Sequence, residues 1–173
     1  MNEVGMAMEV ATEAMWYVAH TRPRCEKKLA WYCEREGFEV TLPCIKSKRV
    51  YGRKKVEFEK PLFPGYVFFK GEPTVCRWVT GSDYTANVLT VFEQSAFEQQ
   101  LNDILIALES GAFVLGATEL CPGRYVRIVA GPLAGLSGTV MQISNQVTVV
   151  LNLDFIGQGA AVVVDSVNLE VVE

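Results

Sequence analysis

Strand-like alternation opens and closes this chain, and helical spacing interrupts it three times. Trp16-Tyr17-Val18-Ala19 is apolar on both faces and reads as a first, covered strand. Thr21 and Pro23 signal a helix start before Cys25, Leu29, Tyr32 and Cys33 at helical spacing, and Gly37 is placed to end it. Phe38, Val40 and Leu42 then alternate with Glu39 and Thr41 as a half-buried second strand. From Lys46 to Lys60, Val56 and Phe58 alternate with Glu57 and Glu59 behind Gly52, the pattern of a hairpin or extended loop. It returns into Pro61-Leu62-Phe63-Pro64-Gly65-Tyr66-Val67-Phe68-Phe69, where two prolines stiffen the approach to a strand. Period two puts Tyr66 and Phe68 on one face with Val67 and Phe69 on the other. Both faces need cover, from the chain's own core or from a partner, and Phe63 is expected to be presented ahead of the strand.

Pro73 can open a second helix containing Val75, Trp78 and Val79, stopped at Gly81, and residues 87–91 supply another strand. The order is then β-α-β-β-α-β, the ferredoxin-like pattern, with a basic hairpin attached. Ser95-Ala96-Phe97-Glu98 reads as a capping box for a third helix carrying Phe97, Leu101, Ile104, Leu105 and Leu108, which should pack on the first sheet and end at Ser110-Gly111. From Pro122 the pattern becomes short β-rich runs separated by glycines: Tyr125 to Val129, Leu136 to Ile143, Val147 to Leu153, Ala160 to Val164, and Asn168 to Val171. Five such strands predict a small closed barrel. The expected division is a disordered extension over residues 1–15, a first domain over 16–109, a linker over 110–121 and a second domain over 122–173. Phe113, Val114 and Leu115 make that linker apolar enough to dock on one domain.

Composition narrows the function. Half of the 173 residues are apolar, sufficient for a packed core. No apolar run reaches a membrane-spanning length, and Met1 to Met15 carries three Glu without Lys or Arg, so the expectation is a cytoplasmic chain with an extension or a misplaced start at Met1 instead of Met15. Cys25, Cys33, Cys44, Cys76 and Cys121 form no C-x-x-C pair, and their odd number argues against a disulfide framework. The one histidine, His20, has no partner for a metal site and is read as structural. No metal, no cofactor and no catalytic residue is expected, since P-loop and nucleophile-elbow motifs are absent. The net charge of −4 is unevenly spread: residues 16–70 hold 13 Lys and Arg against 6 Glu, and residues 71–173 hold 3 against 11 acids. A basic half on an acidic chain suggests an anionic partner approached by one face.

Two separated signatures then coincide, and over about residues 16–173 the chain resembles the NusG family of transcription elongation and antitermination factors. Trp16-Tyr17-Val18, His20-Thr21, Glu26-Lys27-Lys28 and Leu62-Phe63-Pro64-Gly65-Tyr66-Val67 are similar to the family's NGN domain. Gly123-x-x-Val126-Arg127-Ile128, then Gly131-Pro132-Leu133-Ala134-Gly135-Leu136-x-Gly138-x-Val140, is similar to its KOW motif, with Gly131, Pro132, Gly135 and Gly138 as the turn positions. Val164-Asp165-x-Val167 resembles its last turn.

The resemblance implies an α+β fold: a ferredoxin-like NGN domain, an antiparallel sheet with flanking helices, followed by a small SH3-like β-barrel KOW domain. It implies a partner, the clamp helices of the largest RNA polymerase subunit, gripped by a hydrophobic depression to which Trp16, Phe63, Pro64, Tyr66 and Phe68 correspond. Phe63 would be a hot spot of about 2 kcal/mol or more. Arg22, Arg24, Arg49, Arg53, Lys54 and Lys55 would meet upstream or non-template DNA through charge. Phe155 and Ile156 would recruit Rho or the ribosome, although Gln158-Gly159 replaces a loop that is usually basic. Such a protein is a monomer that suppresses pausing or termination without catalysis. The segments after Thr21 and between Trp78 and Ser95, with the compact hairpin, look like an operon-specialised paralog. The β-branched runs 147–150 and 162–164 favour the barrel over a helical hairpin. The competing class is an RNA-binding or ribosome-associated KOW protein that does not touch polymerase.

Overall fold

The computed structural model describes residues 13–112, 114–117, 123–143 and 146–172. Most of the expected extension, together with Phe113 and Cys121, lies outside the described residues. The first half runs β1 (Met15–Thr21), α1 (Glu26–Arg35), β2 (Glu39–Thr41), β3 (Cys44–Tyr51), β4 (Lys54–Pro61), β5 (Tyr66–Gly71), α2 (Pro73–Thr80), β6 (Thr85–Thr90) and α3 (Gln94–Glu109). Strands β2, β5, β1 and β6 form one antiparallel sheet in that order, while β3 and β4 pair only with each other. Setting the hairpin aside, the sequence order and sheet order are those of the ferredoxin-like fold that the alternation predicts.

Cross-strand partners share a face. Tyr17 with Phe69 and Ala19 with Val67 therefore face one way, and Trp16 with Lys70, Val18 with Phe68 and His20 with Tyr66 face the other. Helices α1 and α2 cover the first face through Leu29, Cys33 and Val79. Helix α3 covers the second through Phe97, Leu101 and Ile104. Apart from Cys33, which is smaller, each of these side chains contributes about 1.5–3 kcal/mol by leaving water. Pro73 at the first turn of α2 and Gly81 after its last residue bound that helix as expected.

The capping box is not formed. Helix α3 begins at Gln94, one residue before Ser95, and its start has no side-chain cap. Glu98, which would close the box, and Gln94 just before it are both taken by longer-range partners. Gln94 Oε1 accepts from the Trp16 N–H at 2.6 Å, and Gln94 Nε2 donates to the Trp16 and Val91 carbonyls. Glu98 instead accepts from Lys70 Nζ at 3.0 Å. Gln94 thus supplies β1 with the hydrogen bonds a further strand would give and fixes α3 to the sheet.

The second half comprises β7 (Val114–Ala117), β8 (Tyr125–Ile128), β9 (Ser137–Ile143), β10 (Gln146–Leu153), a 3₁₀ turn (Asp154–Ile156), β11 (Gln158–Val164) and β12 (Leu169–Val171). These strands form one antiparallel sheet in the order β12-β8-β9-β10-β11-β7. The five expected strands are present. Strand β7 comes from the segment expected as linker, and it pairs with β11 from Val114 opposite Val162 to Ala117 opposite Gly159. Among the described residues β7 and β12 remain the two edges, so the barrel is not closed by hydrogen bonds between them. Gly116 lets β7 lie against the first half: a Cβ there would sit 2.7 Å from the Leu62 carbonyl oxygen.

One buried cluster crosses from the first sheet to the second. It includes Val18 and Phe68, then Phe97, Leu101 and Ile104 of α3, then Val149, Leu151 and Val162. Helix α3 is therefore covered on both sides. Replacing Gln94 with Ala should lower unfolding stability by about 1–3 kcal/mol, read from the urea midpoint, because the Trp16 N–H and the Val91 carbonyl each lose a partner and the Trp16 carbonyl keeps the longer bond from the Val91 N–H at 3.4 Å. A loss under about 0.5 kcal/mol would show that water replaces the amide without penalty.

Candidate functional site

The turn before β5 is held from two sides. Gly65 adopts φ +87°, and its N–H donates to Glu26 Oε1 at 2.8 Å while its carbonyl accepts from the Thr21 N–H at 2.9 Å. A side chain at this φ would be strained. The Tyr66 N–H closes the turn on the Phe63 carbonyl at 3.1 Å. The chain thereby folds Phe63 under the sheet, where it is 1% exposed and meets Phe68 edge-on at 6.1 Å. The expectation that Phe63 is presented is corrected: the Pro64-Gly65 turn reverses the backbone and carries its ring inward.

Of the five residues matched to the polymerase depression, Trp16, Phe63 and Phe68 are buried, Pro64 is exposed and Tyr66 is half-buried. Trp16 lies under Lys70 Nζ at 5.6 Å and against Phe97 at 5.8 Å. Helix α3 covers this end of the sheet face. Beyond it the same face stays open: His20 and Asn87 are exposed, Leu89 is 41% exposed, and the Tyr66 ring rests against His20 at 5.3 Å. Register places Leu89 opposite Val18 and Asn87 opposite His20. Pro64, Tyr66, His20 and Leu89 thus define an amphipathic strip on a rigid sheet. The sequence reading missed Leu89 and treated His20 as merely structural; the alternation of β6 was the available signal for Leu89.

The β3–β4 hairpin is a two-stranded ribbon with mostly exposed side chains. Lys46 faces Glu59 and Lys48 faces Glu57, so much of its stem is charge-balanced. Arg49 lies over the Phe58 ring at 5.2 Å. Near the tip the balance ends: Arg49 and Lys54 belong to one face, Lys55 to the other, and Arg53 to the turn. These four cations come together but surround the tip instead of lining one face. Arg22 and Arg24 are exposed in the separate loop between β1 and α1, with Arg24 at φ +61°.

Phe155 and Ile156 occupy the 3₁₀ turn after β10 and are half-buried. The Phe155 ring lies 6.1 Å from Phe97 and 6.4 Å from Phe92, itself 88% exposed. Asp154 and Gln100 exchange two hydrogen bonds, at 2.6 and 3.0 Å. This loop is therefore seated on α3. Gly131 and Gly135 take positive φ in the β8–β9 turn, Pro132 beside them is exposed, and Gly138 lies in β9 where β10 comes close.

Burial pushes the Cys33 thiol up to about 11 and raises that of Cys44, which makes neither a ready nucleophile. Among the described residues, no group of three or more His, Cys, Asp and Glu could hold a metal ion. No described helix is long and apolar enough to cross a membrane.

Comparison with known proteins bears on both halves. A family profile described as transcription termination factor NusG matches residues 14–104, and a KOW motif profile matches residues 122–152. The transcription termination/antitermination protein NusG of Rickettsia typhi is 29% identical over 152 residues, covering 76% of each chain.

The Lys70 hydrogen bond holds the Glu98 carboxyl below the usual carboxylate range. A depressed folded pKa adds stability above the unfolded value of about 4.3, and that stability is lost as pH falls through the folded pKa. Glu98→Gln should therefore melt below the parent at neutral pH, with the gap closing as pH falls through the folded pKa of Glu98. A gap that stays constant across a melting series would refute the linkage.

Proposed function

Because the chain belongs to the NusG family, we propose that it is an elongation and antitermination factor that docks on the RNA polymerase clamp helices through the open strip of its NGN sheet. The observation that carries this reading is the strip itself. Pro64, His20 and Leu89 are exposed and Tyr66 is half-buried, giving a partly apolar surface on paired strands and the turn before β5, next to the buried Phe63, Phe68 and Trp16. A buried Phe63 acts as support for Tyr66 and Pro64 and not as the contacting anchor. Removing it would cost about 3–5 kcal/mol of fold stability, so its loss reports on folding first.

A rigid strip favours one state of a mobile clamp. Binding that is tighter to the closed, elongating polymerase than to paused states shifts the population toward elongation, without catalysis. Arg49, Arg53, Lys54 and Lys55 ring the hairpin tip and would add sequence-independent attraction to upstream or non-template DNA. The KOW domain would recruit a second partner, ribosome or Rho, through Phe155 and Ile156. For that, Phe155 must leave Phe97 and Asp154 must release Gln100, so recruitment and docking on α3 exclude each other. Gln158-Gly159 in place of a basic loop supports an operon-specialised role over general Rho-linked termination.

Binding of the purified chain to bacterial core polymerase, followed by interferometry, tests the strip. Tyr66→Asp and Leu89→Asp, each checked for fold by circular dichroism, should weaken binding by about 2 kcal/mol or more, roughly 30-fold. Folded variants that bind as the parent does would remove the strip from the interface. A parent that does not bind polymerase would favour the ribosome-associated reading.

A further inference from the structure

Among the described residues, the large apolar side chain most open to water is that of Phe92, 88% exposed in the connection between β6 and α3. A single exposed ring is ordinary, but this one opens onto a groove. The groove, of about 420 Å³, is lined by Phe92, Ala96, Phe97 and Phe155, with Glu93 and Asp154 also in its wall. It follows the junction of the two halves, since Phe155 comes from the turn after β10 and the other rings from α3 and its approach. No strip residue and no hairpin cation lines it.

The chain enters β1 beside this groove. Tyr17 lies opposite Thr90, and the Val91 N–H donates to the Trp16 carbonyl at 3.4 Å, so the two segments run side by side. Continued by one more residue, that register sets Met15 level with Phe92. The Trp16 N–H is bonded to Gln94, and its ring lies 5.8 Å from Phe97, one of the groove's walls. Glu13 and Ala14 are exposed, so the chain ahead of β1 leaves the fold within reach of the groove. The sequence of residues 1–12 suits such a site. Val4, Met6, Met8 and Val10 occupy even positions, and Glu3, Gly5, Ala7, Glu9 and Ala11 the odd ones. At period two this gives one apolar face and one small or acidic face.

We infer that residues 4–10 seat in this groove as an extended segment, with Met6 and Met8 against the Phe92 and Phe155 rings. Side chains two residues apart in a strand are about 6.6 Å apart. The two rings are separated by 6.4 Å, so successive even positions meet successive rings. Unbranched thioether side chains adapt to an irregular groove and make favourable sulfur–ring contacts. Residues 10–13 reach about 10 Å when extended, enough to turn the segment back along the start of α3. A tether this short holds the segment at roughly millimolar effective concentration, which favours it over a separate protein or a second copy. Period two turns Glu3 and Glu9 outward, away from Glu93 and Asp154. The seated segment then bridges the two halves, with Phe92 on one side and Phe155 on the other. The inference does not rest on the polymerase reading and is tested without polymerase.

The test uses the full chain with isotope-labelled methionine methyl groups, at Met1, Met6, Met8, Met15 and Met141, assigned by nuclear magnetic resonance from single Met→Leu variants. The Met6 and Met8 methyl signals should lie upfield of the free-residue position through ring currents, with Overhauser contacts to the Phe92 and Phe155 rings. Phe92→Ala, at a ring outside the core, should return both signals to the free position and leave Met141 unmoved. A glutamate-specific protease reads the same equilibrium, because cleavage follows the population of the open form. Cutting after Glu9 should be about fivefold or more faster in the folded Phe92→Ala chain than in the parent. Parent signals at the free position, or cleavage rates within about twofold of each other, would overturn the inference and return residues 1–12 to the disordered extension expected from sequence. Upfield shifts that fade on dilution would overturn it as well, by giving the groove to the segment of a second copy.

Discussion

Three aromatic rings from distant parts of the chain converge on Phe97: Phe68 at 5.6 Å, Trp16 at 5.8 Å and Phe155 at 6.1 Å. The first two belong to the N-terminal sheet and the third to the turn after β10. An α-helix that ends a domain ordinarily buries one stripe and leaves the other to water. Here α3 has apolar neighbours on both sides, and Phe97 serves both. The placement of the two halves follows from this, since β7 pairs into the second sheet while Gly116 lies against Leu62. The motif turn and the second sheet are thereby mechanically adjacent.

The same constraint sets what each surface can do. Covering the Trp16 and Phe68 end of that sheet face leaves its His20, Tyr66 and Leu89 end partly open. Seating Phe155 on α3 half-buries the turn after β10. On the other face, α1 and α2 spend their apolar side chains on the core and still leave two indoles in water. A NusG-family chain arranged in this way keeps part of one sheet face open, carries two exposed indoles over the other, and holds the β3–β4 ribbon apart from both sheets.

Much of this was legible in the sequence, and the exceptions share one cause. Alternation located the strands of both halves because half-burial imposes period two, and Pro73 and Gly81 bounded α2 because their backbone limits are local. Strand β7 was not legible: Val114-Leu115-Gly116-Ala117 has no alternation to read, and its pairing is decided by β11. The Ser95–Glu98 box failed because a capping motif is a local promise, and Glu98 found Lys70 while Gln94 found the edge of β1. Phe63 was expected at the surface because Pro and Gly announce a turn without saying which way it carries the preceding ring. The open strip was half legible, since period two names the face but not where α3 stops covering it.

The account rests on the second sheet being held to α3 through Phe97, and a double-mutant cycle on the full chain measures that bond directly. Phe97→Leu, Phe155→Leu and the double variant would be compared in equilibrium urea unfolding. Rings in contact across the junction predict a coupling of about 0.5–1.5 kcal/mol between the two substitutions. Strictly additive losses would mean that Phe155 does not rest on Phe97, and would contradict the arrangement on which both the covered loop and the open strip depend.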